Sequence, residues 1–161
     1  MKSLCVLRHA KSTPLDAVTE DFERPLSEKG KKDAEEIGSF LVTENVSVDI
    51  VISSPAKRAW KTAKKVSKKI GYSKDLIISD FRIYGADSAE LLEIIKDIED
   101  KYSSAMICGH NPSVTALTNL IIARSRIDDI PPCGICKINF NIDSWKDLSE
   151  KSGSLVFFKY P

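Results

Sequence analysis

Two histidines are the residues of this sequence best suited to carry out chemistry, and the chain contains no others. His9 lies just beyond the apolar run Leu4–Leu7, and His110 lies just beyond the apolar run Ala105–Cys108. Both runs predict buried strands, so each histidine is predicted at the carboxyl end of a strand. Ligands of open α/β sheets bind at that edge. An imidazole placed there can act as a nucleophile or carry a proton at neutral pH.

Two arginines are predicted at the same edge. Arg8 directly precedes the first histidine, and Arg58 lies one turn into the helix predicted after the second strand. A guanidinium is permanently charged, and its planar fork of donors matches the oxygens of a phosphate or a carboxylate. Asn111-Pro112 predicts the start of another helix beside the second histidine, and a helix N-terminus also favours an anion. The sequence therefore predicts a phosphate site at this edge.

The elements that must position these side chains alternate along the chain. Short β-branched runs and longer amphipathic segments predict an α/β fold, arranged as three α/β/α layers around a mostly parallel sheet. The predicted strands are Ser3–Leu7, Asp49–Ser53, Leu76–Ser79, Ser104–Cys108, Gly134–Phe140 and Ser154–Phe158. The predicted helices are Ser27–Thr43, Ser54-Pro55 to Gly71, Asp87 to Ile98 and Asn111-Pro112 to Arg124. The second helix is expected to open with a capping serine followed by proline.

Length and composition exclude several classes of protein. The 161 residues, 42% of them hydrophobic and 29% charged, fit one soluble domain, which we expect to span 1–161. The 24 basic and 23 acidic residues nearly balance, so the overall charge expected of a nucleic-acid-binding protein is absent. No apolar run is long enough to cross a membrane or to form a signal peptide, and we expect a cytoplasmic protein without a membrane partner.

Four blocks, taken in order, resemble the histidine phosphatase superfamily, whose members share a phosphoglycerate-mutase-like fold and an Arg-His-Gly motif. The blocks are Leu7–Ser12, Arg24–Gly30, Ser53–Pro55 with Arg58-Ala59 and Thr62-Ala63, and Gly109–Pro112. The short chain, the Ala10-Lys11 pair in place of the family's glycine, and Ile83–Ala86 resemble the SixA-type phosphohistidine phosphatases. The resemblance spans nearly the whole chain and implies the phosphoglycerate-mutase-like fold.

The resemblance implies a metal-independent phosphatase that uses no cofactor. His9 would be the nucleophile and would form a phosphohistidine intermediate. Arg8, Arg58 and His110 would hold the phosphate oxygens and stabilise the charge of the transition state, which agrees with the needs of phosphoryl transfer. A silent phosphate-binding scaffold on the same fold is the less favoured interpretation, because all four residues are present.

The resemblance does not assign the proton donor or the substrate as directly as it assigns the nucleophile. Enzymes of this superfamily that cleave oxygen esters usually place a carboxylic acid over the leaving group, and the candidates here are Asp21, Glu23 and Asp80. Ser12 and Asn111 are further candidates for a substrate or acid role. A phosphohistidine leaving group can carry its own proton, so we favour a phosphorylated partner protein as substrate. The alternatives are a small phosphate ester and phosphoserine or phosphothreonine; a mutase is less favoured.

Two other patterns have competing interpretations. Cys133 and Cys136 form a Cys-x-x-Cys pair that could serve a redox or zinc site, but they enter a predicted strand, where positions three apart face opposite sides. Cys5 and Cys108 are expected to be buried thiols. The second helix carries six lysines, which predicts a solvated face; a docking patch for an acidic partner is the alternative. The six are Lys57, Lys61, Lys64, Lys65, Lys68 and Lys69.

Overall fold

A computed structural model describes all 161 residues. The strands are β1 (Lys2–Arg8), β2 (Ile50–Ser53), β3 (Ile78–Ser79), β4 (Ser104–Gly109), β5 (Ile135–Phe140) and β6 (Gly153–Lys159). The α-helices are α1 (Glu28–Thr43), α2 (Lys57–Lys69), α3 (Ser88–Lys96) and α4 (Ser113–Ile121). Strands and helices alternate through the first two thirds of the chain, which produces parallel crossovers.

One sheet contains all six strands in the order β3-β2-β4-β1-β5-β6. The first four strands in that order are parallel to one another, and β5 and β6 join as an antiparallel ribbon. The predicted α/β class with a mostly parallel sheet is therefore confirmed. In the parallel pairing of β1 with β4, Arg8 lies opposite Gly109, so the two strands end at the same level. That register brings the residues after both strands together.

The sheet lies between two hydrophobic cores, one on each face. The helices that cover the two cores form the outer layers of the α/β/α arrangement. Leu4 and Val6 of β1 face the core that contains α3 and α4, while Cys5 and Leu7 face the core of α1 and α2. This alternation follows from the period of two along a strand. Because β1 and β4 are covered on both faces, their sequences are nearly continuous in apolar residues. We propose that residues 1–161 form one domain, since a single sheet runs through both cores.

The start of α2 differs from the sequence prediction. The helix begins at Lys57 rather than at Pro55, because Ala56 is still extended, with φ −53° and ψ 133°. Ser54 does not cap the helix; its hydroxyl oxygen accepts a bond from the Ala56 N–H only two residues ahead. That geometry is a local turn rather than an N-cap. The serine is thereby left with a hydrogen to donate elsewhere.

The boundaries of two other elements, α4 and β3, also differ from the sequence prediction. Pro112 precedes α4 rather than opening it, and the helix ends at Ile121, before the expected Arg124, because Ile122 turns extended and pairs beside Gly153. Strand β3 is only Ile78–Ser79, since the preceding segment Lys74–Leu76 forms a 3-10 turn capped by Ser73. By contrast, the start of α1 matches the prediction: Ser27 accepts a bond from the Gly30 N–H as N-cap.

None of the helices combines the length and the apolar character that a membrane span would need.

Candidate functional site

The two histidines lie side by side at the carboxyl edge of the sheet. The backbone N–H of His9 donates to the carbonyl of Gly109 at 3.1 Å, which continues the pairing of β1 with β4 by one residue. The ring centroids of His9 and His110 are 5.2 Å apart, with the planes inclined by 55°. A tetrahedral phosphoryl group is small enough to touch both rings at that separation. The parallel register of two adjacent strands therefore produces a paired-imidazole site.

The ring of His9 is oriented by a backbone carbonyl. Its Nδ1 lies 2.7 Å from the carbonyl oxygen of Ala10, and because a carbonyl only accepts, Nδ1 carries the proton. The neutral ring then has its lone pair on Nε2. The peptide group just before Ala10 is also held, since its N–H donates to Thr62 Oγ1 at 3.0 Å and that hydroxyl donates to the Arg58 carbonyl at 2.7 Å. Helix α2 thus holds the backbone between the histidine that follows β1 and the carbonyl that orients its ring.

Burial lowers the pKa of His9 to about 4 from its ordinary 6.5. The Ala10 carbonyl opposes this effect, and the charges of Arg58, Arg8 and Arg24 add to it. Burial is the largest of these causes, and the charge of the adjacent Arg8 is a smaller one. At neutral pH the ring is therefore uncharged, as a nucleophile requires.

His110 is held by Ser54. Its Nε2 lies 2.8 Å from Ser54 Oγ, and since that oxygen accepts from the Ala56 N–H, its own hydrogen is available for the ring. Burial, followed by the neighbouring His9 and by Arg58, lowers the pKa of His110 to about 3. Its Nδ1 is buried and has no hydrogen-bond partner in the protein. The role of Ser54 was missed from the sequence, where it was interpreted as a helix cap.

The two arginines are anchored by part of their guanidinium groups only. Arg58 is 6% exposed, and its Nη1 and Nη2 donate to the backbone oxygen and the carboxylate of Asp21 at 2.7 and 3.1 Å. Arg8 donates from Nη1 to the Ile130 carbonyl at 2.8 Å. The Nε of each arginine is buried without a partner in the protein. Each side chain therefore keeps a charged donor that no protein acceptor uses.

Asp21 is the carboxylate that the structure brings to this site. Its oxygens accept bonds from Arg24, Arg58 and the hydroxyl of Tyr84, the last at 2.8 Å. The Tyr84 hydroxyl, more than the two arginines, lowers the pKa of Asp21 to about 2 from 3.8. Asp21 is therefore ionised at neutral pH. Arg24 and Tyr84 belonged to stretches noted in the sequence, but neither was assigned a role there.

The other candidate side chains do not reach the histidines. Glu23 is exposed and makes no side-chain hydrogen bond or ion pair. Asp80 accepts from Arg82 at 2.7 Å, in an ion pair on the outer side of the 3-10 turn that follows β3. Ser12 forms only a backbone bridge with Leu26.

Asn111 supports the site indirectly. Its Nδ2 donates at 2.9 Å to both Asp129 and the Ile130 carbonyl, while its Oδ1 accepts from Thr115 at the start of α4. The Ile130 carbonyl is also the acceptor for Arg8. Asn111 thus fixes the loop that anchors this arginine.

An aromatic wall borders the pair of histidines on one side and consists of Phe22, Phe81 and Tyr84. The Tyr84 ring packs edge-on against His110, with centroids 5.6 Å apart, and against Phe22 at 5.3 Å. Phe81 stacks on Phe22 at 5.9 Å and remains 66% exposed. The site therefore combines the cationic side chains of Arg8, Arg24 and Arg58 with an apolar side wall that faces solvent.

The cysteine pair does not form a second site. Cys133 packs in the core of α1 and α2, whereas Cys136 packs in the core of α3 and α4, so the thiols lie on opposite sides of the sheet. All four cysteines are buried and unpaired. No group of three or more His, Cys, Asp or Glu side chains is arranged to hold a metal ion.

Comparisons with known proteins place this architecture among relatives. An uncharacterized protein of Mycobacterium tuberculosis is 28% identical over 96% of this chain and 99% of its own length. The structure of SixA from Agrobacterium tumefaciens superposes with a TM-score of 0.84 at 24% identity, over 99% of this chain and 98% of that one.

Two further structures share the fold. The protein histidine phosphatase SixA, solved with tungstate, superposes with a TM-score of 0.83 at 17% identity, over 99% of this chain and 97% of that one. A mycobacterial glucosyl-3-phosphoglycerate phosphatase superposes at 0.71 with 13% identity, over 99% of both chains. At these identities the likenesses establish the phosphoglycerate-mutase-like fold.

The sequence of the first half of the chain makes the assignment more specific. Residues 4–81 match the family model of the histidine phosphatase superfamily, branch 1. The matched segment contains β1 with Arg8 and His9, the loop with Asp21 and Arg24, and α2 with Arg58. These residues supply the cationic groups of the site, and over this segment the chain is similar to the histidine phosphatase superfamily.

Proposed function

We propose that this protein removes the phosphoryl group from a phosphohistidine side chain of a partner protein, with His9 as the nucleophile. The observation that carries the proposal is the state of the carboxylates near the site. Asp21 is held ionised by Tyr84, Arg58 and Arg24, and Asp80 is paired with Arg82. Neither of these two carboxyl groups is in the neutral form that could protonate an alkoxide leaving group, whereas an imidazole leaving group does not need one.

In the first step the lone pair of His9 Nε2 attacks phosphorus. The P–N bond to the substrate imidazole breaks, and that ring leaves as neutral imidazole with the proton it already holds on its other nitrogen. The guanidinium groups of Arg8 and Arg58, which keep N–H donors that no protein acceptor uses, are suited to donate to the equatorial oxygens, and the His110 ring adds a further contact. The reaction passes the phosphoryl group between two like rings, so neither side needs an added acid.

In the second step a water molecule attacks the phosphorus of phospho-His9. The P–Nε2 bond breaks, His9 returns to its Nδ1-protonated form, and both hydrogens of the water leave on dihydrogen phosphate. The Ala10 carbonyl, 2.7 Å from Nδ1, holds that proton throughout. The leaving ring is thus neutral in this step as well, and the same argument applies to both halves of the cycle.

The aromatic wall supports an imidazole ring as the leaving group. Phe22 and Phe81 stack on each other, Tyr84 packs against both Phe22 and His110, and flat rings pack well against such a surface. The competing function is hydrolysis of a small phosphate ester, as in the mycobacterial phosphatase of the same fold. A charged glycerate moiety would gain little from an apolar wall whose Phe81 side is 66% exposed.

The proposal is tested by comparing substrates and by trapping the intermediate. We expect kcat/KM for a phosphohistidine peptide to exceed that for a phosphoserine peptide by at least about 10²-fold, the usual contribution of a general acid. p-Nitrophenyl phosphate, whose phenolate leaves without an added proton, serves as the positive control for an active phosphatase. Phosphoenzyme quenched in alkali should be acid-labile and should map to His9.

Two variants complete this experiment. His9→Asn should abolish both turnover and label, while Glu23→Gln, which changes an exposed carboxylate, serves as the matched control and should retain both. Faster turnover of the phosphoserine peptide would exclude the phosphohistidine assignment, and a labelled His9→Asn variant would exclude the nucleophile.

A further inference from the structure

Helix α2 carries an unusual charge for a helix of its length. Its 13 residues, KRAWKTAKKVSKK, include six lysines and Arg58 but no acidic residue. Because the whole chain has a formal charge of only +1, the rest of the molecule is net negative. Positive charge is therefore concentrated on this one element.

This distribution opposes the stability of the helix. Lys57–Lys61 and Lys64–Lys68 are like-charge pairs at a spacing of four, which destabilise a helix by about 0.2–0.5 kcal/mol each. Lys57 also opens the helix, where the macrodipole disfavours a cation. Lys65 has one acidic partner, Glu35 at 3.6 Å, whereas Lys57, Lys61, Lys64 and Lys68 have none. Helix stability accounts for Lys68 and Lys69 in the last turn, where the macrodipole favours a cation, but it gives no reason for the lysines of the earlier turns.

The lysines form one surface that begins at the catalytic edge. We define the lysine surface as Lys57, Lys61, Lys64, Lys65, Lys68 and Lys74. Two open grooves of about 420 and 640 Å³ lie on it and share Lys61 and Lys65 in their walls. The smaller groove reaches Pro25, the neighbour of Arg24 in the site. The larger continues to Lys74 beyond the end of the helix.

We propose that the lysine surface docks an acidic segment of the partner protein whose phosphohistidine enters the site. This inference rests on the proposed function and specifies the partner: acidic side chains lie to one side of its phosphorylated histidine. Helix α2 is about 20 Å long, and about six residues of extended chain cover that distance. Charge complementarity of this kind raises the rate of productive encounter and falls with ionic strength.

The composition of the surface favours a protein over the other polyanions. It offers no arginine fork, and its aromatic side chain, Tyr72, has its hydroxyl engaged by the Val51 N–H and the Leu76 carbonyl. Stacking platforms and guanidinium contacts are the usual means of binding nucleic acid. Insertion into a membrane would need exposed apolar side chains, and the wall of the smaller groove has only Leu26, which is 5% exposed.

The experiment compares two synthetic phosphohistidine peptides that differ only in a flank of about six residues, glutamates in one and glutamines in the other. For the wild type we expect kcat/KM to favour the glutamate peptide about tenfold at about 50 mM salt, and to favour neither at about 0.5 M. Lys61→Gln/Lys64→Gln should reduce the preference to about twofold, since each exposed pair contributes little by itself.

A matched control removes the same charge elsewhere. Lys101→Gln/Lys146→Gln changes two exposed lysines, with Lys101 in the turn that leads into the amino end of β4, at the opposite edge of the sheet from the site. It should keep the wild-type preference. Glutamine has nearly the helix propensity of lysine, so both double variants should fold, which thermal melts will verify. Equal turnover of the two peptides at low salt would overturn the inference. An equal loss of the preference for the glutamate peptide in the two double variants would also overturn it.

The design separates this inference from the proposed function. If neither phosphopeptide is hydrolysed while p-nitrophenyl phosphate is, the proposed function is wrong. Fluorescence anisotropy of the same two peptides without phosphate then decides the docking surface independently. Tighter binding of the glutamate peptide that Lys61→Gln/Lys64→Gln abolishes supports it, and equal binding overturns it. Tighter binding of oligothymidylate, or of vesicles with about 30 mol% phosphatidylserine, would assign the surface to a different polyanion.

Discussion

Because the chain contains only two histidines, NMR can test the chemistry of the site directly. With ¹⁵N-labelled imidazoles, the signals of His9 and His110 can be assigned from the variants His9→Asn and His110→Asn. We expect His9 to be neutral and protonated on Nδ1 at pH 7, as its contact with the Ala10 carbonyl requires. Its titration midpoint should lie at about 4 rather than 6.5.

The expected difference is large enough to measure. At about pH 5.5 a histidine with a pKa near 4 is about 97% neutral, whereas an unperturbed one is about 9% neutral. Arg58→Gln should raise the midpoint of His9, since it removes a cation that lowers the pKa. Saturating phosphate should also raise it, because a dianion favours the charged ring. A midpoint between about 6 and 6.5, or a ring protonated on Nε2, would refute this account of the nucleophile.

The same depressed pKa makes folding stability depend on pH. The unfolded chain takes up a proton on this histidine near pH 6.5, but the folded chain does so only near 4. As the pH falls through that window, the unfolded state binds more protons and stability is lost. From about pH 7 to about 4.5 the loss attributable to His9 is about 2 kcal/mol. Urea melts at both pH values should show a loss smaller by about that amount in His9→Asn, and an identical loss would contradict the burial argument.

Three further variants test how the site is supported. Thr62→Val should lower kcat about tenfold and cost about 1–3 kcal/mol of stability, because the buried Ala10 N–H loses its acceptor; Thr62→Ser keeps the hydroxyl and should restore both, and if the serine variant is equally impaired the effect is one of packing. Asp80→Asn should change phosphohistidine turnover less than about tenfold, since Asp80 pairs with Arg82; a hundredfold loss in a kinetic assay would make it the acid. Gly30→Ala should lower the melting temperature more than Gly38→Ala, because its Cβ would overlap the backbone carbonyl of Lys11 more deeply than the Cβ of Gly38 would overlap Cβ and Cγ of Lys69, each 2.6 Å away; equal melting temperatures would show that the loop at Lys11 shifts freely.

The part of the site that lies on strands was predictable from the sequence. His9 and His110 each follow an apolar run, and parallel strands of one sheet end at a common edge, so their proximity follows from topology. The same reasoning placed Arg58, because the helix after β2 begins at that edge. The alternation of Cys5 and Leu7 with Leu4 and Val6 likewise follows from the pleat of a strand.

The part of the site that lies on loops was not predictable. Asp21 and Arg24 belong to a loop of about twenty residues between β1 and α1, where no hydrophobic period fixes the direction of a side chain. Tyr84 follows a 3-10 turn that the sequence did not indicate. Ser54 looked like a helix cap because serine before proline is a common start signal. Its hydroxyl instead bonds His110, a contact between residues 56 positions apart.

These loop contacts determine what the strand residues can do. An arginine at the edge of a sheet can bind a phosphate of any kind, but Asp21 accepts one bond from each Nη of Arg58 and so fixes the direction of the Nε and Nη hydrogens that remain. The same bonds, together with Tyr84, keep Asp21 ionised and so deny the site an acid. Orientation of the phosphate site and selection against poor leaving groups thus come from one set of hydrogen bonds. A relative of the same fold could become an esterase by breaking this set and presenting a neutral carboxyl group to the leaving oxygen, with no change to His9, Arg8 or the sheet.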